Sequence, residues 1–236
     1  MEIEQILKMI AESDSFLVAE RIELEQDPKE VGERYSQLTK ALYKRHSIAN
    51  MTMVGRLGVH YCTREAKKSE SIDAELAVKL KETAKIIAYN VSANLWPGWN
   101  EPEITIAESD RVNGLDLARA TLRFAMELSA DAKSLGTAHW LVAAHHLANG
   151  NLSEAMLIFR TSAQEFRKAE KPVAELMANG YAALAGCLEP TISDESRKQL
   201  DQALDSLRQE GSEEAGFFIA QIQTATKVFL NRGPRN

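Results

Sequence analysis

The spacing of apolar residues along the chain is helical from one end to the other. Ile3, Ile6, Leu7 and Ile10 recur at intervals of three and four, which places them on one face of a helix. No segment alternates apolar and polar residues as a half-buried strand does. The pattern predicts an all-α protein of eight or nine helices without a sheet. Comparable sets follow at Val31, Tyr35, Leu38 and Leu42, at Leu76, Leu80, Ile87 and Val91, and at Leu200, Ala203, Leu204 and Leu207.

Polar and proline residues indicate where these helices begin. Asp27 followed by Pro28 is typical of a helix start, with an N-capping carboxylate and a proline in the first turn. The helix that follows is predicted to continue past His46, and residues 69–71 are predicted to cap the next one. The first helical pattern either continues as far as residue 24 or breaks near residues 13–14, and the sequence leaves both open.

The clearest local pattern lies in residues 139–163, HWLVAAHHLANGNLSEAMLIFRTSA. Gly150 supplies the permissive backbone that ends a helix. After it, Ala155, Phe159 and Ser162 recur at intervals of four and three, which forms a stripe along one face of a second helix. The segment predicts two antiparallel helices joined by a tight turn at Gly150.

Five of these residues resemble the pattern of a tetratricopeptide repeat. The family has a small residue in the middle of its first helix and a glycine at the turn. Its second helix carries alanine, an aromatic residue four positions on, and a small residue three further. The spacing fits without gaps, although histidines 139 and 146 stand where tryptophan and tyrosine are usual. The matching residues are Ala143, Gly150, Ala155, Phe159 and Ser162.

Neighbouring segments suggest further units of the same kind. Gly180 follows Ala143 by 37 residues, which suggests a second unit, although the spacing is longer than the ~34-residue period of the family. Residues 113–114 are predicted to form a turn before an earlier helix. The resemblance implies one all-α domain over residues 1–236, with N-terminal helices in 1–95 and hairpins with a C-terminal capping helix in 105–231. Its architecture would be a right-handed α-α superhelix or, alternatively, a closed helical bundle.

The resemblance also implies a candidate binding groove. In the family, positions of the first helix of each repeat line a concave surface, and here those positions are apolar or aromatic. An exposed apolar groove usually indicates contact with a ligand or partner. Either a hydrophobic peptide or small ligand occupies this groove, or the N-terminal helices of the chain fill it. The candidate residues are Trp140, Ala144, Leu147, Met177, Tyr181 and Leu184, with Thr137 and Ala148 beside them.

The least helical segment, residues 96–102, contains two tryptophans separated by proline and glycine. Proline and glycine end a helix and form a turn. Trp96 and Trp99 have two interpretations: the loop folds back and fills a gap between helices, or the two rings contact a ligand or partner. Aromatic residues in loops often carry function.

Candidate catalytic and metal-binding residues are few. His139 and His146 are seven positions apart and lie on one helical face, but a metal site needs further ligands from other helices. The sequence lacks the GxSxG, GxGxxG, GxxxxGK[ST] and HExxH motifs, which leaves no recognisable nucleophile, phosphate cradle or zinc site. We therefore predict no catalytic residue, no metal and no cofactor.

Composition narrows the class of protein. The chain has 236 residues, of which 44% are hydrophobic and 26% charged, with a net charge of −6. The negative charge argues against a nucleic-acid binder, and no apolar run is long enough for a membrane span. The N-terminus lacks the features of a signal peptide. The two cysteines form no CxxC motif and are expected to be buried thiols of a reducing compartment, which favours a cytoplasmic location.

Three functional hypotheses follow. The first is a non-catalytic interaction or regulatory scaffold that binds an apolar peptide or helix of a partner protein through the groove. The second is an α-helical protein that binds a small molecule or metal, possibly as an enzyme, through His139, His146 and the tryptophan loop. The third is a homo-oligomer in which the apolar groove is the interface between copies.

Overall fold

The structure, a computed structural model, describes residues 2–24 and 27–230. Within these ranges all of the regular secondary structure is helical and there is no β-strand, which confirms the all-α prediction. None of the helices in the described ranges is both long enough and apolar enough to cross a bilayer. A 3₁₀ helix (Pro97–Trp99) lies between α5 and α6. The α-helices are α1 (Ile3–Glu12), α2 (Ser15–Glu23), α3 (Pro28–Lys44), α4 (Ile48–Ser69), α5 (Ala74–Asn94), α6 (Glu108–Glu127), α7 (Ala132–Ala148), α8 (Leu152–Lys168), α9 (Pro172–Cys187), α10 (Ser193–Glu210) and α11 (Glu213–Leu230).

Eleven α-helices in the described ranges exceed the predicted eight or nine because two predicted helices are broken. The N-terminal pattern breaks at Asp14, whose carboxylate accepts the first N–H groups of α2. The prediction of a helix that continues past His46 was wrong. His46 has a φ of 54°, and Ser47 N–H donates to Leu42 O at 3.0 Å. A left-handed residue with this backbone hydrogen bond closes a helix at its C-terminus.

The predicted helix start at Asp27 and Pro28 is confirmed. The Asp27 carboxylate accepts the backbone N–H of Lys29 at 2.9 Å, and Pro28 is the first residue of α3. An N-capping carboxylate satisfies one of the N–H groups that a helix leaves unpaired in its first turn. This boundary depends only on neighbouring residues, which is why the sequence indicated it.

Two other predicted boundaries were wrong. Residues 69–71 do not cap α5, because α4 extends to residue 69 and the capping carboxylate belongs to Asp73. Residues 113–114 lie inside α6 and form no turn. Gly114 is buried there, and its carbonyl accepts the hydroxyl of Ser92 at 2.8 Å. A glycine inside a helix is tolerated where a neighbouring helix packs closely against it.

The chain forms two compact units. Unit 1 contains α1 to α6 and is formed by the described residues of 1–95 together with Glu108–Leu128. Unit 2 contains the 3₁₀ helix and α7 to α11, from Trp96–Ala107 and the described residues after 128. The sequence groups α6 with the C-terminal hairpins of residues 105–231. By its contacts in the structure, α6 belongs to unit 1.

Unit 1 is held together by close helix crossings at glycines. A Cβ atom on Gly58 of α4 would lie 2.7 Å from Tyr35 Cβ in α3, and one on Gly55 would lie 2.6 Å from Val91 Cγ2 in α5. Such distances are shorter than any real carbon–carbon contact, so only glycine permits these approaches. Asp116 of α6 is ion-paired with Arg56 of α4 at 2.6 Å.

In unit 2 the predicted hairpin of residues 139–163 is confirmed. α7 and α8 are antiparallel helices joined by a turn at Gly150, which has a φ of 80°. Gly150 N–H donates to Leu147 O at 3.1 Å, and Asn151 N–H donates to His146 O at 3.0 Å. This is the hydrogen-bond pattern of a Schellman-type helix end. The glycine is required here because the turn needs a left-handed backbone.

The predicted stripe on α8 is buried against α7. Ala155, Phe159 and Ser162 are all 0% exposed. The hydroxyl of Ser162 donates to the carbonyl of Gly136 at 2.8 Å, so the buried polar group has a partner. The small side chains of Ala155 and Ser162 allow the two helices to approach closely.

α9 is the central helix of unit 2. It packs against α7, α8, α10 and α11, and buried residues occur all around it rather than along one stripe. A helix that is apolar on every side is typical of a position inside the core. A Cβ atom on Gly180 would lie 2.8 Å from Ile222 Cδ1 of α11, so α9 and α11 approach closely at this glycine.

Candidate functional site

The six residues predicted to line a groove all lie on α7 and α9, and all are buried. Their exposed fractions range from 0% for Tyr181 to 7% for Trp140. The surface that these residues form is therefore closed to solvent. We call this surface the α7/α9 face, formed by Trp140, Ala144, Leu147, Met177, Tyr181 and Leu184.

Within unit 2 the tryptophan segment, residues Trp96–Ala107, contacts the α7/α9 face at Trp140, Ala144 and Tyr181. The Trp96 ring lies edge-on to Trp140 at 5.4 Å and to Tyr181 at 5.8 Å between ring centroids. Its indole N–H donates to the main-chain carbonyl of Ala144 at 2.9 Å. The Phe229 ring of α11 lies tilted against the Trp96 ring, at 6.1 Å between ring centroids. Trp96 is only 1% exposed, so it folds back onto the helices.

Six rings form one aromatic cluster that joins five elements of unit 2. Trp96 and Trp99 meet edge to face at 4.7 Å, as do Trp140 and Tyr181 at 5.2 Å. Edge-to-face and offset contacts of this kind each stabilise by roughly 0.5–1.5 kcal/mol beyond the burial of their area. The cluster therefore holds the segment to the helices through several contacts at once. Its members are Trp96, Trp99, Trp140, Phe159, Tyr181 and Phe229.

The backbone of the tryptophan segment lies directly against the indole ring of Trp96. Pro97 begins the 3₁₀ helix, and Asn100 ends it with a φ of 53°. A Cβ atom on Gly98 would lie 2.3 Å from Cη2 of Trp96, so no larger residue fits while Trp96 keeps its place. Beyond the turn, residues 100–107 form neither helix nor strand and are exposed or half-exposed.

Two polar atoms of the α7/α9 face are buried without a hydrogen bond. Trp140 Nε1 and Tyr181 Oη have no partner in the part of the chain that the structure describes. Most buried polar groups in proteins are hydrogen-bonded, and an unpaired one costs roughly 1–3 kcal/mol. Burial raises the pKa of Tyr181 well above its usual range, so the hydroxyl is neutral at physiological pH and can donate.

The histidines do not converge on a metal site. His139 is half-buried, and this burial lowers its pKa. His146 is buried, and its Nδ1 lies 3.4 Å from the side-chain amide of Asn151. In residues 2–24 and 27–230 no three His, Cys, Asp or Glu side chains are grouped so that they could hold an ion. His139 and His146 are therefore not part of a group of metal ligands within these ranges.

The two cysteines are buried thiols, and neither is activated. Burial raises the pKa of Cys62 to about 12, and burial also raises the pKa of Cys187. A thiol with a raised pKa is protonated at neutral pH, whereas a nucleophilic cysteine needs a lowered pKa. These positions therefore carry no sign of nucleophilic chemistry.

Some features of the site were not anticipated from the sequence. Phe229 was not singled out, because its contact with Trp96 joins residues far apart in the chain. The role of Gly98 was also missed, since it depends on the position of the Trp96 ring. The unpaired polar atoms of Trp140 and Tyr181 have no signal in the sequence at all.

The sequence matches no protein-family model and no curated protein, and the structure matches no solved structure. The likeness to tetratricopeptide repeats therefore rests on the residues of the α7–α8 hairpin themselves. What the site can do must be inferred from its side chains, which are apolar and aromatic with two buried donors.

Proposed function

We propose that this chain is a non-catalytic interaction module of tetratricopeptide-like hairpins, which binds an apolar segment of a partner protein on the α7/α9 face. In this proposal α7–α8 and α9–α10 are two repeats of a right-handed superhelix, and α11 is the capping helix. The buried small residues Ala143, Ala155 and Ser162 and the glycine turn support the repeat assignment. A cytoplasmic location belongs to the same proposal.

A single observation carries the proposed function: the α7/α9 face already holds a peptide segment. Trp96 enters the face with one hydrogen bond and two edge-on ring contacts. Tryptophan and tyrosine are the residues that most often dominate binding energy at protein interfaces. A surface that binds an aromatic segment of its own chain has the chemistry to bind a similar segment of another protein.

The nature of the contacts favours an extended segment over a folded surface. The Trp96 indole reaches a main-chain carbonyl of α7, and the backbone that follows Trp96 forms only a short 3₁₀ turn before residues that are neither helix nor strand. Recognition by one deeply inserted aromatic residue on a short extended segment is a recurrent mode of peptide binding. The proposed partner is therefore a short tryptophan-containing segment.

The proposal can be tested by supplying the segment as a separate peptide. In the full chain carrying Trp96→Ala, the place of the indole is vacated, and a labelled decapeptide with the sequence of residues 95–104 is then added. We expect saturable binding in a fluorescence anisotropy titration. A decapeptide with alanine at both tryptophans should not bind.

The control for this experiment is Leu157→Ala, which truncates an exposed apolar residue of α8 outside the aromatic cluster. That variant should bind the decapeptide no better than the unmodified chain. Circular dichroism establishes that each variant keeps its helices. The proposed function fails if the folded Trp96→Ala chain shows no saturable binding at millimolar peptide.

A further inference from the structure

We infer that the tryptophan segment is an internal competitor for the α7/α9 face, and that a partner binds by displacing it. This inference rests on the proposed function and adds two points to it. The first is that the unmodified chain binds its partner more weakly than a chain whose segment has been released. The second is the chemistry of the partner: a tryptophan side chain together with a hydrogen-bond acceptor for the two buried donors.

The way the segment is connected allows it to leave. Trp96–Ala107 belongs to unit 2 by its contacts, whereas the chain immediately before residue 96 and immediately after residue 107 belongs to unit 1. Only residues 96–98 of the segment are buried, and residues 100–107 form neither helix nor strand. Displacement would therefore not require any α-helix to unfold.

The segment also leaves part of the face unsatisfied. Trp96 pairs its own indole N–H with Ala144 O, but it supplies no acceptor for Trp140 Nε1 or Tyr181 Oη. An incoming segment with a suitably placed main-chain carbonyl would gain hydrogen bonds that the internal segment does not make. Because an unpaired buried donor costs free energy, these additional hydrogen bonds favour replacement of the internal segment by the partner segment.

The same contacts define which partner fits. Its aromatic residue must be tryptophan, because phenylalanine cannot donate to the Ala144 carbonyl. The part that enters the face must be uncharged, since the six residues of the α7/α9 face carry no charge to compensate a buried one. The partner is thus a short segment of a protein whose tryptophan and immediate neighbours, the part that enters the face, are uncharged.

Tethering explains why the internal segment can compete. The segment and the α7/α9 face belong to the same chain, so the segment acts at an effective concentration that does not depend on the concentration of the protein. A free segment has to exceed this effective concentration or bind with better contacts. Any change that weakens the internal segment should therefore raise the apparent affinity for a partner without altering the α7/α9 face.

Gly98→Ala is such a change. The added methyl group would lie 2.3 Å from the Trp96 ring and forces the indole away, while α7 and α9 keep all of their residues. We expect the Gly98→Ala chain to bind the decapeptide of residues 95–104 at least tenfold more tightly than the unmodified chain. The matched control is Gly216→Ala in α11, where an added methyl meets nothing within 4 Å and affinity should not change.

The outcomes of this comparison separate the inference from the proposed function. Equal affinity of the unmodified and Gly98→Ala chains, with the alanine-substituted decapeptide inactive, would overturn the internal competitor and leave the binding face intact. Absence of binding to every folded variant would overturn both. A chain that is dimeric by sedimentation and becomes monomeric with Trp96→Ala would overturn the inference in favour of exchange of the segment between two copies.

A second measurement needs no variant. In ¹⁵N-labelled unmodified chain, saturating unlabelled decapeptide should speed the exchange of backbone amide hydrogens in residues 96–107 and slow it in α7 and α9. Unchanged exchange in residues 96–107 at saturation would contradict displacement. This result stands even if Gly98→Ala fails to fold.

The acceptor is tested with peptides other than the internal sequence. Decapeptides with one fixed tryptophan and random flanks are selected by phage display on the Gly98→Ala chain. The selected peptides should bind the Gly98→Ala/Tyr181→Phe chain at least fivefold more weakly, because the hydroxyl that the acceptor would meet is absent. Equal binding by both chains would show that Tyr181 Oη takes no part in recognition.

Discussion

Trp96 and Tyr181 belong to the same aromatic cluster, yet their polar atoms are in opposite situations. The Trp96 indole N–H is paired with Ala144 O at 2.9 Å, whereas Tyr181 Oη is buried without a partner in the described part of the chain. Removing a paired group forfeits a hydrogen bond, while removing an unpaired buried group removes a cost. The two residues should therefore respond differently to substitutions that keep the ring.

Tyr181→Phe is expected to leave the free energy of unfolding of the ligand-free chain unchanged or to raise it by about 1 kcal/mol. Trp96→Phe is expected to lower it by about 1–3 kcal/mol, because the substitution loses both the hydrogen bond and part of the buried ring. Urea unfolding followed by circular dichroism measures both. A loss of stability in Tyr181→Phe as large as that in Trp96→Phe would show that the hydroxyl is in fact paired.

His139 makes a residue-scale prediction about pH. Burial lowers its pKa below the usual value of about 6.5, so the unfolded chain takes up a proton at a higher pH than the folded chain does. Its contribution to stability is therefore fully present above about pH 6.5 and is lost as the pH falls through the lower folded pKa. Between pH 7.5 and pH 5 the unmodified chain should lose more stability than His139→Gln, measured by urea unfolding. Parallel pH profiles for the two chains would contradict the prediction.

At the scale of the helices, the sequence predicted best where a boundary depends on neighbouring residues. Asp27 and Pro28 start α3 as expected, and Gly150 turns the α7–α8 hairpin. It predicted least well where distant helices decide. The pair of residues 113–114 is typical of a turn, but it lies inside α6. There the carbonyl of Gly114 accepts a hydrogen bond from the hydroxyl of Ser92. A glycine that permits close packing and a glycine that permits a turn cannot be distinguished locally.

This distinction predicts opposite effects for two helical glycines. Gly58→Ala places a methyl group 2.7 Å from Tyr35 Cβ, which forces α3 and α4 apart and should lower the free energy of unfolding by about 1–3 kcal/mol. Gly216→Ala meets no atom within 4 Å and should raise it by about 0.5–1 kcal/mol, because alanine is the better helix former. Urea unfolding measures both free energies. An unchanged free energy of unfolding in Gly58→Ala would show that α3 and α4 do not approach each other so closely at this glycine.

At the scale of the whole molecule, the all-α class and the residues of the candidate face could be predicted, but the state of that face could not. Residues Trp140 and Tyr181 were singled out from the repeat pattern, and Trp96 from its loop. That these three rings meet, and that Phe229 joins them, depends on contacts between residues that are widely separated in the chain. Periodicity indicates which side of a helix is apolar and does not indicate what covers it.

The spacing of apolar residues also could not predict the division into two compact units. α6 has the apolar spacing of the helices that follow it, but its hydrogen bond to Ser92 and its ion pair to Arg56 belong to unit 1. The tryptophan segment belongs to unit 2 although α5 and α6 on either side of it do not. Such an arrangement reflects three-dimensional contacts, because the chain leaves one unit and returns to it.

The metal content of the purified protein is a further prediction at the scale of the whole molecule. The histidines of α7 are not grouped with further ligands in the described ranges, so we expect purified protein to contain no stoichiometric zinc or iron. Elemental analysis by mass spectrometry measures this directly. One equivalent of metal that is lost in His146→Ala would favour the metal-binding hypothesis over the interaction module.

The central claim is that the α7/α9 face binds a tryptophan-containing segment. The measurement that tests it most directly is the anisotropy titration of the labelled decapeptide of residues 95–104 against the full chain carrying Trp96→Ala. We expect saturable one-to-one binding that disappears when both tryptophans of the peptide are replaced by alanine. A folded Trp96→Ala chain that binds neither peptide, or that binds both equally, would contradict it.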